Sequence, residues 1–218
     1  MKKLTLILAV SVFSLQACFA DWIIIQKSST DGKEQEMVIK VKGDKTRADV
    51  GKQMSVIADA TSGEITMFMH EQKMMMKMNG DSMKGIMALA GQMLGKGEPP
   101  AKAQATGQKE KVGMYDTEIY TWTGKLGTGK FWVAKDFPGF KELNAVQDKL
   151  MKTMGNPAAA FVPQNSDFPG MVVKSEMTVM GKLAVSELVS AKQDPVSDDT
   201  FKAPEGYQEM KMPGLPGK

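Results

Sequence analysis

Methionine is the residue type whose abundance and spacing in this sequence point most directly to chemistry. Between positions 67 and 78, thioether and imidazole side chains crowd together: Met67, Met69, His70, Met74, Met75, Met76 and Met78. These groups are ligands that suit Cu(I). On a β-strand, residues two apart share a face about 6.6 Å from each other, so long thioethers can converge on one ion. One hypothesis is therefore a Cu(I) site formed by Met67, Met69, His70 and Met76, although a regular strand directs His70 away from the first two.

The same methionines also fit a second hypothesis, which is an apolar binding cleft. Methionine is flexible and polarizable and lines surfaces that accept varied apolar partners. A third interpretation is a plain packed core, because the chain holds 20 methionines and many lie far from this cluster. The residues predicted to line the cleft are Met74, Met76 and Met78 on a strand, with Met83, Met87 and Met93 on a covering helix.

Catalytic machinery is not visible in the sequence. His70 is the only histidine and Cys18 the only cysteine, so a histidine-based zinc site is excluded by count. A Ser-His-Asp triad would need His70, but the sequence has no Gly-x-Ser-x-Gly elbow. Asp198 and Asp199 resemble a helix-capping turn, and the glycines of 124–129 resemble hairpin-turn residues. The prediction is a protein that is not an enzyme and needs no cofactor.

The first 20 residues have the features of an export signal. Lys2 and Lys3 precede an apolar run over 4–15 that is too short to span a bilayer as a helix. Cleavage after Ala20 would release a soluble periplasmic chain that begins at Asp21. Alternatively, residues 15–18 resemble a lipobox, and an acylated Cys18 would give an outer-membrane lipoprotein with peripheral membrane association. The predicted boundaries are a signal peptide over 1–20, one domain over 21–209 and a disordered tail over 210–218.

The charge balance argues against a nucleic-acid partner. Without Lys2 and Lys3, the 28 basic residues become 26, against 25 acidic ones. Nucleic-acid binding requires a concentrated basic surface, which a nearly neutral chain does not supply.

The hydrophobic pattern predicts short antiparallel strands and two helices. Strand-like segments separated by polar turns indicate a sheet, and apolar residues at helical spacing indicate the helices. A loop is expected over 101–107 and a turn over 127–129. The predicted strands cover 22–27, 36–41, 45–50, 54–58, 65–70, 73–78, 110–115, 117–123, 130–133, 171–179 and 182–190, and the predicted helices cover 82–94 and 140–154. The expected class is mainly β (α+β), with two helices that cover the apolar face of a curved antiparallel sheet.

The C-terminal third resembles the end of a domain family of unknown function, DUF4412. Phe201, Pro204, Gly206 and Tyr207 match its Phe-x-x-Pro-x-Gly-Tyr signature, and 129–134 is similar to its central strand. Similar endings occur in the periplasmic lipoprotein carriers of the LolA and LolB group. This resemblance implies an open half-barrel with helices across its concave face, and a binding module for a lipid or a lipoprotein. A scaffold that pairs with another protein is the further alternative.

Overall fold

The computed structural model describes residues 21–79, 85, 101–154 and 162–210. The predicted signal peptide and all but the first residue of the predicted tail lie outside these ranges. So does the predicted helix over 82–94 apart from Gly85, and with it Met83, Met87 and Met93. In the described part of the chain, no helix is both long enough and apolar enough to cross a bilayer.

The described residues form one mainly β structure, which confirms the predicted class. Alternating or continuous runs of β-branched and large apolar residues, bounded by glycine and polar turns, produce the strands. The strands are β1 (Trp22–Thr30), β2 (Lys33–Lys42), β3 (Lys45–Val50), β4 (Met54–Asp59), β5 (Glu64–Met69), β6 (Met74–Met78), β7 (Gln104–Val112), β8 (Tyr115–Gly124), β9 (Gly127–Ala134), β10 (Met171–Val179), β11 (Lys182–Gln193) and β12 (Gln208–Glu209). Between β9 and β10 lies α1 (Phe140–Met154), the only α-helix with described bounds, and short 3₁₀ helices cover Asn165–Asp167 and Asp198–Phe201.

All the strands belong to one curved sheet that does not close. Its order is β12-β6-β5-β4-β3-β2-β1-β11-β10-β9-β8-β7, so β12 and β7 are the edges. Two antiparallel meanders, β1 to β6 and β7 to β11, are joined where β1 pairs with β11. The short β12 runs parallel to β6. Strand β1 therefore lies in the middle of the sheet, although it is the first strand of the chain.

Three local predictions are corrected by the structure. The predicted strand over 110–115 is divided by a turn at Gly113 and Met114, so β7 ends at Val112 and β8 begins at Tyr115. The predicted loop over 101–107 overlaps β7, which begins at Gln104 and pairs with β8 through a bulge after Ala105. The predicted turn over 127–129 is part of β9, because these glycines permit close packing instead of reversing the chain. A Cβ on Gly127 would overlap the Thr178 carbonyl oxygen, and one on Gly129 would lie 2.8 Å from the Phe131 ring.

The main core lies where α1 packs on the sheet, and we call this side of the sheet the helix face. Leu143 is buried there, with Phe140 and Val146 beside it, as the helical periodicity predicts. The sheet residues of this core are Trp22, Ile24, Val41, Val112, Ile119, Trp132, Ala134, Val173 and Leu188. Near the end of α1, Lys149 Nζ lies 2.6 Å from Asp44 Oδ2 in the turn after β2. That bond lowers the pKa of the Asp44 carboxyl and ties the helix to the first meander.

The opposite side of the sheet carries a second core over β8, β9 and β10. It is formed by Tyr120, Trp122, Phe131, Val133 and Phe168. Phe168 follows the first 3₁₀ helix and packs against Tyr120 and Phe131, with ring centroids 5.7 and 4.9 Å away. The second meander therefore has a packed core on both faces.

Candidate functional site

The two methionine-rich strands, β5 and β6, are neighbours in the sheet and present their methionines on one face. Their antiparallel register places Met67 opposite Met76 and Met69 opposite Met74. Residues directly opposite each other in an antiparallel pair point to the same side of the sheet. Met78 is opposite Ile65 and continues the same row of side chains. The structure therefore brings together the methionines that the sequence places on separate strands.

Strand β4 extends this surface by one more methionine. Met54 lies opposite Met69, which in turn lies opposite Met74, so three thioethers form a row across β4, β5 and β6. We call the surface formed by Met54, Met67, Met69, Met74, Met76 and Met78 the methionine face.

The methionine face is a continuation of the helix face. Ile39 pairs with Ala48, Ala48 pairs with Val56, and Val56 pairs with Met67. Because paired residues point to the same side of a sheet, these four side chains share one face. Ile39 packs against the core under α1. One side of the sheet is therefore apolar from the second meander to β6.

Burial along the methionine face changes from one end to the other. Met78 is buried against Ala58 and Ile65, and Met67 and Met76 pack partly against this cluster. The row Met54, Met69 and Met74 is only half-buried. The face is thus closed by side-chain packing at the Met78 end and more open at the end where β5 turns into β6. Flexible apolar side chains at such an open end can adapt to the shape of an apolar molecule.

Of the six residues predicted to line a cleft, Met74, Met76 and Met78 lie together on this face. Met83, Met87 and Met93 lie outside the described residues. Met75 points to the opposite side, since it pairs with Phe68.

His70 follows β5 and its ring is directed to the side opposite Met67 and Met69. Its Nε2 lies 2.7 Å from Ser55 Oγ, and its Nδ1 lies 2.5 Å from Tyr207 Oη. Both ring nitrogens are therefore engaged in hydrogen bonds. Of the four predicted copper ligands, the structure brings Met67, Met69 and Met76 together and places His70 elsewhere. Within the described residues, no group of three His, Cys, Asp or Glu side chains is arranged to hold a metal.

His70 belongs to a polar network on the side opposite the methionine face. Ser55 Oγ donates to Asp49 Oδ1 at 2.6 Å, and Arg47 donates to the same Asp49 oxygen from Nε at 2.7 Å. Arg47 Nη2 also lies 3.1 Å from Ser55 Oγ. Burial alone would raise the pKa of the Asp49 carboxyl, but the hydrogen bonds from Ser55 and Arg47 outweigh it and hold that pKa below its usual value.

The order of groups in this network differs from that of a catalytic triad. In a triad the carboxylate accepts from the histidine, and the histidine activates the serine. Here Asp49 accepts from Ser55, and the second nitrogen of His70 faces Tyr207. Ser55 is also 1% exposed. This network was not predicted from the sequence, although Arg47, Asp49 and Ser55 fall at alternating positions of one predicted hairpin, which indicates polar side chains on one face.

The C-terminal segment 194–210, which we call the C-terminal strap, is hydrogen-bonded to the first meander. Arg47 Nη1 donates to the Thr200 carbonyl at 3.0 Å, and Lys42 Nζ donates to the Val196 carbonyl at 2.8 Å. Gln208 N then donates to the Lys73 carbonyl at 2.9 Å, where β12 joins β6. The signature residue Tyr207 adds its contacts with His70 and Phe68 to these bonds, which hold the strap across the first meander.

A cavity of about 270 Å³ lies between the strap and the sheet. Phe68 and Ile57 contribute to its sheet side, and Phe201 and Ala203 to its strap side. Its remaining lining residues are polar or charged: Lys45, Asp59, Ser62, Glu64, Thr66 and Lys77.

Several solved structures are similar to this chain. An uncharacterized conserved protein from Thermus thermophilus has 7% identity and a TM-score of 0.52, over 88% of this chain and 90% of that one. Lipoprotein LppX from Mycobacterium tuberculosis has 10% identity and a TM-score of 0.43, over 80% and 88%. PNGF-II has 18% identity and a TM-score of 0.43 over 87% of this chain, which spans only 30% of PNGF-II. The first of these likenesses supports the fold.

Sequence comparison gives a family but no curated relative. The model of the family described as "Domain of unknown function (DUF4412)" matches residues 21–207. No curated protein sequence matches the chain. The match confirms the family that the C-terminal signature predicts.

Proposed function

The chain belongs to the DUF4412 family, and we propose that it is an exported, non-catalytic binding module for a hydrophobic ligand in the bacterial envelope. The ligand class is a lipid or the acyl part of a lipidated protein. The resemblance to the LolA and LolB carriers in layout supports this class, and the basic and apolar start of the sequence supports export.

The observation that carries the proposal is the half-buried row Met54, Met69 and Met74. It stands at the open end of an apolar surface that continues from the core under α1. Thioether side chains have several rotatable bonds and pack against irregular apolar shapes, which suits acyl chains of varied length. A ligand on this row would bury apolar area that the described residues leave partly in contact with solvent.

The polar network supports the non-catalytic part of the proposal. Ser55, the aliphatic hydroxyl beside His70, is buried and donates its hydrogen bond to Asp49 Oδ1. The network also bonds to the strap through Arg47 and Tyr207, which is a structural role.

We expect the double variant Met69→Gln/Met74→Gln to bind a fluorescent long-chain fatty acid about tenfold more weakly than the unchanged protein. The amides replace thioethers at half-buried positions, so the ligand must desolvate them while the fold loses little packing. The measurement is a fluorescence titration of the purified protein, with native mass spectrometry of the envelope-derived protein to identify any bound lipid and the N-terminal residue.

Met114→Gln is the matched control for this experiment. Met114 is also a methionine, but it is 78% exposed in the turn between β7 and β8. Its variant should bind the fatty acid as the unchanged protein does. Equal affinity of the double variant and this control would contradict a ligand site on the methionine face.

Cu(I) binding is a second candidate function, because the row Met54, Met69 and Met74 places three soft ligands side by side without His70. A Met69→Leu variant separates the two candidates, since leucine keeps the apolar volume and removes the thioether. If copper is the ligand, Met69→Leu should lose stoichiometric Cu(I) in a competition titration with a chromogenic chelator. If a lipid is the ligand, the same variant should retain fatty-acid binding.

A further inference from the structure

Three turns meet at one end of the sheet and form a small apolar surface. Met180 N, in the turn after β10, donates to the Leu126 carbonyl at 2.9 Å, in the turn after β8. Asp31 N, in the turn after β1, donates to the Leu183 carbonyl at 3.2 Å. These backbone bonds hold three apolar side chains at neighbouring positions. We call Leu126, Met180 and Leu183 the apolar tip.

Two of the three side chains of the apolar tip are exposed. Met180 is 75% exposed and Leu183 is 51% exposed, and both stand out among the large hydrophobic residues of the described chain. Leu126 is half-buried beside them. Because apolar area in water is unfavourable, a folded chain gains nothing from this arrangement by itself.

Met180 is also an unusual residue type for its position in the turn of its hairpin. Met180 and Gly181 have φ values of +52° and +80°, which is the pattern of a type I′ turn. Such turns favour Asn-Gly or Asp-Gly, and the adjacent turn uses Asp31 and Gly32 at φ values of +51° and +78°. A methionine with positive φ is strained. Strain and exposure at the same residue are features expected of a functional position.

Basic side chains flank the apolar tip. Lys125, Lys182 and Lys33 are exposed in or beside the same three turns. The acidic groups there are Asp31 and Glu34, so three positive and two negative charges leave the three turns with a net charge of +1. Exposed apolar side chains ringed by lysines are the combination that binds an anionic lipid surface, because the apolar groups enter the headgroup boundary and the lysines approach the phosphates.

We propose that the apolar tip docks this protein on an anionic bilayer, with Met180 and Leu183 inserted and Lys125, Lys182 and Lys33 at the phosphates. This surface is separate from the methionine face and does not depend on it. It lies at the same end of the sheet as the open row of that face, because the turns after β1, β3 and β5 share one end of an antiparallel meander. Docking therefore places the open row of the methionine face on the membrane side of the molecule.

The test is co-sedimentation with vesicles of phosphatidylethanolamine and phosphatidylglycerol, compared with vesicles of phosphatidylcholine. The protein carries Cys18→Ala, so that no acyl chain at that residue anchors it. The Cys18→Ala protein, with its apolar tip unchanged, should bind the anionic vesicles and should dissociate from them at high salt. Met180→Asn should weaken this partitioning about tenfold, because it removes the inserted side chain. Asparagine also suits the turn, so the variant should unfold at a higher urea concentration than its parent.

Two further variants decide between docking and a general surface effect. Met114→Asn removes a comparably exposed methionine from the opposite end of the sheet and should bind vesicles as its parent does. The pair Lys125→Gln/Lys182→Gln should reduce binding to anionic vesicles and remove most of its salt dependence. Binding that is unchanged by Met180→Asn, or no binding of the parent protein, would overturn the proposal. Met69→Gln/Met74→Gln should retain docking, so failure of the methionine-face ligand and failure of the tip are distinguishable.

Discussion

Replacing Phe68 by alanine is expected to lower the free energy of unfolding by about 3–5 kcal/mol. Phe68 is 0% exposed and is the penultimate residue of β5. Its ring meets the edge of Tyr207 with centroids 5.6 Å apart, and it borders the cavity under the strap. Alanine would remove the ring from the core, enlarge that cavity and take away an aromatic contact that holds the strap. Urea unfolding followed by tryptophan fluorescence measures the loss.

The loss of Phe68 should also have a local signature. With the Tyr207 contact removed, the strap should be cleaved by a protease at concentrations that leave the unchanged protein intact. Phe68→Leu is the matched variant, because it keeps most of the apolar volume and should cost less than about 1.5 kcal/mol. If the free energy of unfolding of Phe68→Ala lay within about 1 kcal/mol of the value for the unchanged protein, Phe68 would not make the packing contribution assigned to it.

The second large effect concerns Asp49 and is a dependence on pH. Asp49→Asn should destabilise the protein by about 2 kcal/mol at pH 7, because the amide replaces a charged acceptor of hydrogen bonds from Arg47 and Ser55. The folded state holds the pKa of this carboxyl below its usual value. The carboxylate therefore contributes its stability above the unfolded pKa of about 3.9, and the contribution is lost as the pH falls through the lower folded pKa.

Urea unfolding of both proteins between about pH 7 and pH 2.5 tests this sign. The difference between the unchanged protein and Asp49→Asn should be constant down to about pH 4 and should shrink below it. Asp198 is a suitable comparison, since its pKa is also lowered, by Lys42, but it is exposed. Asp198→Asn should change stability little. If the difference in the free energy of unfolding between the unchanged protein and Asp49→Asn grew as the pH fell, the result would contradict this network.

The bounds of helices and strands that depend on neighbouring residues could be predicted from the sequence. The bounds of α1 agree with the predicted 140–154, because apolar spacing and the Gly155-Asn156-Pro157 sequence define that helix. The first strand of the last hairpin agrees with its predicted range of 171–179, since it alternates in polarity and ends in a tight turn. The predicted mainly β class follows from many such segments.

Pairings between distant segments could not be predicted in this way. Nothing in the sequence near Trp22 indicates that β1 pairs with β11, or that β12 lies parallel to β6. The register of β5 and β6 depends on the turn between them, and only that register places Met67 opposite Met76. The partners of His70 could not be predicted either, because Ser55 lies on a neighbouring strand and Tyr207 is 137 residues further along the chain.

The central position of β1 has a consequence for how the chain can be made. Ile23, Ile24 and Ile25 lie in a strand whose partner β11 is synthesised about 160 residues later. Until β11 emerges, a β-branched edge is open to any other extended chain, and such edges favour aggregation. Sheets joined by long-range pairs also fold slowly. The central pairing of the sheet can therefore form only after the last hairpin of the chain has been synthesised.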